Sequence, residues 1–135
     1  MRLGILGGTF DPPHFGHVHL AEAALSQLQL DKVLFAPVGL QPLKQEHPAT
    51  APEHRARMAE LAIADDPRFA LSRVDLDRPG PHYTVDLLTL IQQQYPSAAL
   101  WFIMGEDSLG DLLRWRDPAC VTELARLATA LARHG

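Results

Sequence analysis

A chain of 135 residues, 47% of them apolar, is enough for one domain over residues 1–135 that buries roughly two-thirds of its unfolded surface. Its formal net charge of −4 argues against a general attraction to nucleic acid, so any anionic ligand has to be held by local groups. The longest uninterrupted apolar run, Ala98 to Met104, is far too short to span a bilayer, and no membrane partner is expected. The single cysteine, Cys120, permits no internal disulfide and fits a reducing cytoplasm. Met1 leads directly into an apolar run, with no signal peptide expected.

The first unit is a buried strand, Arg2 to Leu6, followed by the turn GGTFDPPHFGH, Gly7 to His17. Gly7 and Gly8 suit a close backbone approach to a ligand and dihedrals that side chains forbid. Asp11-Pro12-Pro13 is turn chemistry that delays the helix until Phe15 or Gly16. That helix continues to about Gln29, with Leu20, Ala23, Ala24 and Leu28 at helical spacing. Its first amide hydrogens lack carbonyl partners and its dipole is positive there, which makes a phosphate site. His14 and His17 are three apart and share one face of the first turn. Each can donate a hydrogen bond to a phosphate oxygen. Neither GxxxxGK[ST] nor a complete GxGxxG occurs in the chain. A metal site of His14, His17 and His19 is disfavoured, because that spacing cannot place all three side chains on one helix face.

The second strand is Lys32 to Val38, apolar enough to be buried on both faces. A long proline-rich loop follows, Gly39 to His54, with Lys44 its only lysine. It leaves the C-terminal rim of the strands, where doubly wound sheets bind ligands. Helix two spans about Ala51 to Ala64, with Met58, Leu61 and Ala62 expected inward. The third strand is expected over Phe69 to Leu76, and Arg78-Pro79-Gly80-Pro81 is a loop by composition. Tyr83-Thr84-Val85 opens a third helix that runs to about Gln94. The fourth strand is Ala98 to Gly105, with Trp101 in the core. Asp107, just past it, suits either a ribose hydroxyl or a helix cap. Short helices are expected over Leu109 to Trp115 and about Pro118 to Leu124. These βα units predict a doubly wound parallel sheet with its switch point at the end of the first strand.

The stretch GGTFDPPHFGH resembles the signature of the HxGH nucleotidyltransferases, and its wording is closest to the bacterial nicotinate-nucleotide adenylyltransferases. The resemblance implies a Rossmann-like nucleotidyltransferase fold and transfer of AMP from ATP to nicotinate mononucleotide in cytoplasmic NAD biosynthesis. It implies that His14 and His17 hold the phosphoryl oxygens with the amides of Gly8, Thr9 and Phe10. Lys44 would neutralise the departing pyrophosphate, and Gly105 and Asp107 would contact the nucleotide ribose. Tyr83 and Thr84 would meet the nicotinate, and Trp115 would stack on its ring. Mg²⁺ would come with ATP, bridging phosphates without a dedicated protein metal site. Arg55 and Met58 match the family's R-x-x-M spacing, although a salt-bridged arginine and a core methionine explain them equally well.

The chain departs from that family at three places: Leu43 replaces a histidine, His82 a serine and His134 a proline. The segment from Ala125 to Gly135 takes the place of the family's fifth strand and its exit. The family continues beyond this point to a serine-and-threonine turn whose arginine meets the triphosphate. By that resemblance the chain holds about the first two-thirds of the family's domain. Weak nucleotide binding, poor turnover and self-association into a homo-oligomer are then expected of these residues alone. Two alternatives remain at this stage. One is a nucleotide-binding fragment without turnover. The other is pantetheine-phosphate adenylyltransferase, which shares the histidine signature but fits the RPGPHYT and GEDSL segments poorly.

Overall fold

The computed structural model describes residues 1–8, 15–37, 51–77, 84–104 and 125–129. In chain order the elements are β1 (Arg2–Gly8), α1 (Phe15–Gln27), β2 (Lys32–Pro37), α2 (Pro52–Ile63) and β3 (Phe69–Leu71). Then come α3 (Thr84–Gln94), β4 (Ala99–Met104) and β5 (Arg126–Thr129). All five strands form one parallel sheet in the order β3-β2-β1-β4-β5. The chain steps outward from β1 through β2 to β3, then returns across β1 to β4 and β5. This is the expected doubly wound, Rossmann-like arrangement. The order reverses at β1.

Parallel crossovers keep one hand, so a reversal of direction along the sheet moves the connecting helix to the other face. The two cores follow that rule. On one face Leu6, Val33, Phe35, Trp101 and Ile103 pack with Ala21, Ala24 and Leu25 of α1 and with Ala59 and Ile63 of α2. On the other face Leu3, Ile5, Leu34, Leu100 and Phe102 pack with Leu87, Leu88 and Ile91 of α3. Alternate residues of β1 thus serve opposite cores, as the period of two requires. In β2 every residue from Val33 to Pro37 is buried, which explains its continuous apolar run.

Three expectations need correction. The inward side of α2 carries Arg55, Ala56, Ala59 and Ile63, whereas Leu61 is 61% exposed, Ala62 is exposed and Met58 is half-buried. The buried stripe is made of an arginine, two alanines and one isoleucine, so the larger apolar side chains Met58 and Leu61 pointed to the wrong face. The strand expected to reach Leu76 stops at Leu71. The Ser72 amide still donates to the Phe35 carbonyl at 2.9 Å, but residues 74–77 form a turn closed by Asp77 N–H to Arg73 O at 2.9 Å. Finally, α1 ends at Gln27 rather than Gln29, because Gln29 adopts φ 54° and the Leu30 amide reaches back to Leu25 O at 3.0 Å. That is a left-handed C-terminal cap of the Schellman type. Trp101 is 4% exposed, as expected of a core residue.

Among the described residues no helix is long and apolar enough to cross a membrane. The short helices expected over residues 109–115 and 118–124 lie outside the described residues, as do residues 39–50 of the long loop and the loop over 78–81.

Candidate functional site

Because the strands are parallel, Gly8, Pro37, Leu71, Met104 and Thr129 end on one rim of the sheet. At its centre Gly8 pairs in register with Pro37, and Leu6 with Ile103. In doubly wound sheets a reversal of strand order, as at β1, marks the place beyond the strand ends where ligands bind.

Two helices open beside the end of β1, one from each face. On one side α1 begins at Phe15 and carries His17 in its first turn. His17 is half-buried and Gly16 is exposed, and both are engaged by their surroundings. No acidic residue lies in the first turn of α1, whereas α2 has Glu53 there and α3 has Asp86. The positive end of α1 is therefore not offset by its own first turn, and it suits an anion.

On the other face α3 opens at Thr84, which is half-buried. Its place is fixed by packing beneath β1. A Cβ built on Gly7 would lie 3.2 and 3.3 Å from the Phe102 ring and 3.7 Å from Leu87 Cδ2. Leu87 belongs to the first turn of α3, so that turn stands over the end of β1. The Gly7 backbone is outside the left-handed region. Its missing side chain makes room for an aromatic ring, where the sequence pointed to ligand approach.

The structure thus places three of the expected site residues at this rim: Gly8, His17 and Thr84. Thr9, Phe10, His14, Lys44, Tyr83, Gly105, Asp107 and Trp115 lie outside the described residues. Among the described residues no three His, Cys, Asp or Glu side chains gather to hold a metal. His19 is exposed on α1.

Buried charge is the feature that sequence reasoning underweighted. Arg55 is 2% exposed and Asp75 is 1% exposed, and both are engaged by neighbours. An aspartate within the apolar run FALSRVDL was the available signal for the second. Nearby, the Arg73 guanidinium bridges Glu53 Oε1 at 2.6 Å and Asp77 Oδ1 at 3.0 Å. Those two carboxylates hold its pKa above the ordinary guanidinium value. This cluster ties the turn after β3 to the start of α2. The Ser72 hydroxyl beside it is buried with no hydrogen-bond partner among the described residues.

Comparison with known proteins agrees with this geometry. A family model described as cytidylyltransferase-like matches residues 5–132. A protein of Thermomicrobium roseum named as a probable nicotinate-nucleotide adenylyltransferase is 53% identical over 130 residues, covering 96% of this chain and 61% of that protein. A Thermus thermophilus protein of the same name is 45% identical over 135 residues, covering 100% of this chain and 71% of that one. The structure of Plasmodium falciparum nicotinic acid mononucleotide adenylyltransferase complexed with NaAD superposes with a TM-score of 0.76 at 15% identity. It covers 99% of this chain and 77% of that one, and the likeness is one of fold. The chain spans about three-fifths of the length of several of the curated relatives it matches. With the match running over nearly its whole length, the chain belongs to the cytidylyltransferase-like family and, within it, to the nicotinate-nucleotide adenylyltransferases.

Proposed function

We propose that these residues form the nucleotide-binding core of an adenylyltransferase that moves AMP from ATP to nicotinate mononucleotide. The products would be nicotinate adenine dinucleotide and pyrophosphate, and the setting cytoplasmic NAD biosynthesis. One observation carries the reading. The acid-free first turn of α1, with His17 in it, opens from the end of the central strand where the strand order reverses.

An oxygen of the mononucleotide phosphate attacks the α-phosphorus of ATP. The bond from that phosphorus to the bridging oxygen breaks, and pyrophosphate leaves with the electron pair. No protein nucleophile is needed, so positioning and charge stabilisation carry the catalysis. His17 and His14 donate to the phosphoryl oxygens as charge grows on them, together with the amides of Gly8, Thr9 and Phe10. Lys44 balances the charge of the leaving pyrophosphate. Gly105 and Asp107 face the ribose, while Tyr83, Thr84 and Trp115 receive the nicotinate. ATP is taken as its Mg²⁺ complex, with the ion carried on the phosphates of the substrate.

The test is pyrophosphate release on the chain as its gene encodes it, with nicotinate mononucleotide and with nicotinamide mononucleotide. By the family resemblance the Tyr83-Thr84 turn meets the nicotinate carboxylate, so nicotinate is expected to win in kcat/KM. Replacing His17→Asn should lower kcat by about 10²–10³, the usual loss for one preorganised donor, with ATP affinity nearly unchanged. Equal use of the two mononucleotides would remove the substrate assignment. An unchanged kcat for His17→Asn would remove its catalytic role. ATP binding without pyrophosphate release would favour a binding module.

A further inference from the structure

We propose that Gly7 is a positioning residue for the mononucleotide end of the site, because its missing side chain sets how closely the first turn of α3 seats against β1. The kinetic consequence rests on the reading that this turn meets the nicotinate. The packing argument does not.

Phe102 stands on β4 opposite Ile5 of β1, and its ring leans along the strand into the space that a side chain at position 7 would fill. A methyl group there would lie 3.2 and 3.3 Å from two ring carbons, inside the roughly 3.5–4.0 Å at which carbon atoms settle. The ring is buried with Leu3, Ile5, Leu34 and Leu100 on its sheet side and with Leu87, Leu88 and Ile91 of α3 on the other. The sheet side is fixed by strand pairing on both flanks of β1. The helix side is a single contact layer. A close-packed interior transmits a displacement of a few tenths of an ångström rather than absorbing it, and here it passes to Leu87 and the turn that opens at Thr84. A pyridine ring gripped by that turn would lose alignment, while the phosphate end at α1, on the opposite face, would not move.

Gly7→Ala, Phe102→Leu and the double variant test this on the full chain. Hydrogen exchange at the Leu87 and Leu88 amides, which close the first turn of α3, should quicken about tenfold in Gly7→Ala. Ile91 in the same helix should change by less than about twofold, and the double variant should return to the Phe102→Leu rate. In kinetics, KM for nicotinate mononucleotide should rise about three- to tenfold in Gly7→Ala, with kcat and KM for ATP held within about twofold. The smaller side chain at 102 should reverse that rise. Unchanged exchange at Leu87 and Leu88, a uniform increase throughout α3, or a change that persists in the double variant would each overturn the proposal. If Gly7→Ala alone does not fold, the double variant must fold and exchange like Phe102→Leu. Its failure to do so is equally decisive against the proposal. A wild-type chain that does not use nicotinate mononucleotide would defeat the functional reading, and the exchange data would still decide the role of Gly7.

Discussion

His17 owes its position to where α1 begins, in a first turn that holds no acidic residue. Glu53 and Asp86 offset the positive ends of α2 and α3, while α1 has no such carboxylate. Elsewhere single residues are fixed by short-range charge. Asp66, between α2 and β3, accepts from Arg68 Nε at 3.0 Å, Arg68 Nη2 at 2.7 Å and the Arg68 backbone N–H at 2.9 Å. These contacts hold its carboxyl well below the usual range, at about 2, the side-chain bonds from Arg68 contributing most and the backbone bond next. A carboxyl lowered on folding favours the native state above its unfolded pKa near 3.8, and that contribution fades as the pH falls through 2. The expected NMR titration of Asp66 therefore has its midpoint near 2. In Arg68→Ala the midpoint should climb only part of the way back, because the amide at position 68 still donates. A wild-type midpoint at the ordinary value would show that the pair does not persist in solution.

At the scale of elements, the end of the sheet away from the site is a tightly tied seam. The Arg2 guanidinium donates to Leu28 O at 2.7 and 3.2 Å and to Gln29 O at 3.1 Å, so it caps the C-terminus of α1. The Arg2 amide donates to Asp31 Oδ2 at 2.7 Å. The Arg2 and Arg126 guanidinium carbons lie 4.4 and 5.4 Å from the centre of the Trp101 ring. Within this seam Gln29 holds φ 54°, a conformation that costs a residue with a Cβ roughly 1–2 kcal/mol. Gln29→Gly should therefore stabilise the chain by about 0.5–1 kcal/mol after the greater freedom of glycine in the unfolded state is counted. The check is a higher denaturant midpoint at unchanged slope, and a lower midpoint would contradict it.

Most elements were legible from the sequence, because β1, β2 and β4 have buried apolar runs and α3 carries a clear apolar stripe. The face of α2 was not, since alanines and a buried arginine form it while its leucine points outward. The length of β3 was hidden too. Leu76 extends the apolar pattern, but the chain has by then turned away to seat Arg73 on Glu53. At the site, the GG-to-His17 spacing revealed the strand-to-helix turn, yet it gave no hint that Gly7 answers to Phe102, a residue distant in sequence.

Across the whole molecule the two cores are not separate bodies, because one strand supplies both. Leu3 and Ile5 of β1 face α3, and Leu6 faces α1 and α2. Stripping the helix from one face would expose a sheet whose other face depends on the same backbone ladder. A single cooperative unit is therefore expected of the two cores, and that expectation makes a definite thermodynamic statement. Ile63 of α2 and Ile91 of α3 are both buried, on opposite faces of the sheet. Each Ile→Val change removes one methylene and should cost about 0.5–1.5 kcal/mol. The two sites share no neighbours, so the double variant should show their sum to within about 0.5 kcal/mol. Both changes should move the same transition, followed equally by tryptophan fluorescence and by far-ultraviolet circular dichroism. Two resolved transitions, each shifted by only one of the substitutions, would mean that the α3 layer unfolds apart from the rest. The end of β1 would then not be a rigid floor shared by α1 and α3. The proposed site needs a shared floor, because a phosphate end at α1 and a mononucleotide end at α3 keep their spacing only if one strand fixes the distance between the two helix openings.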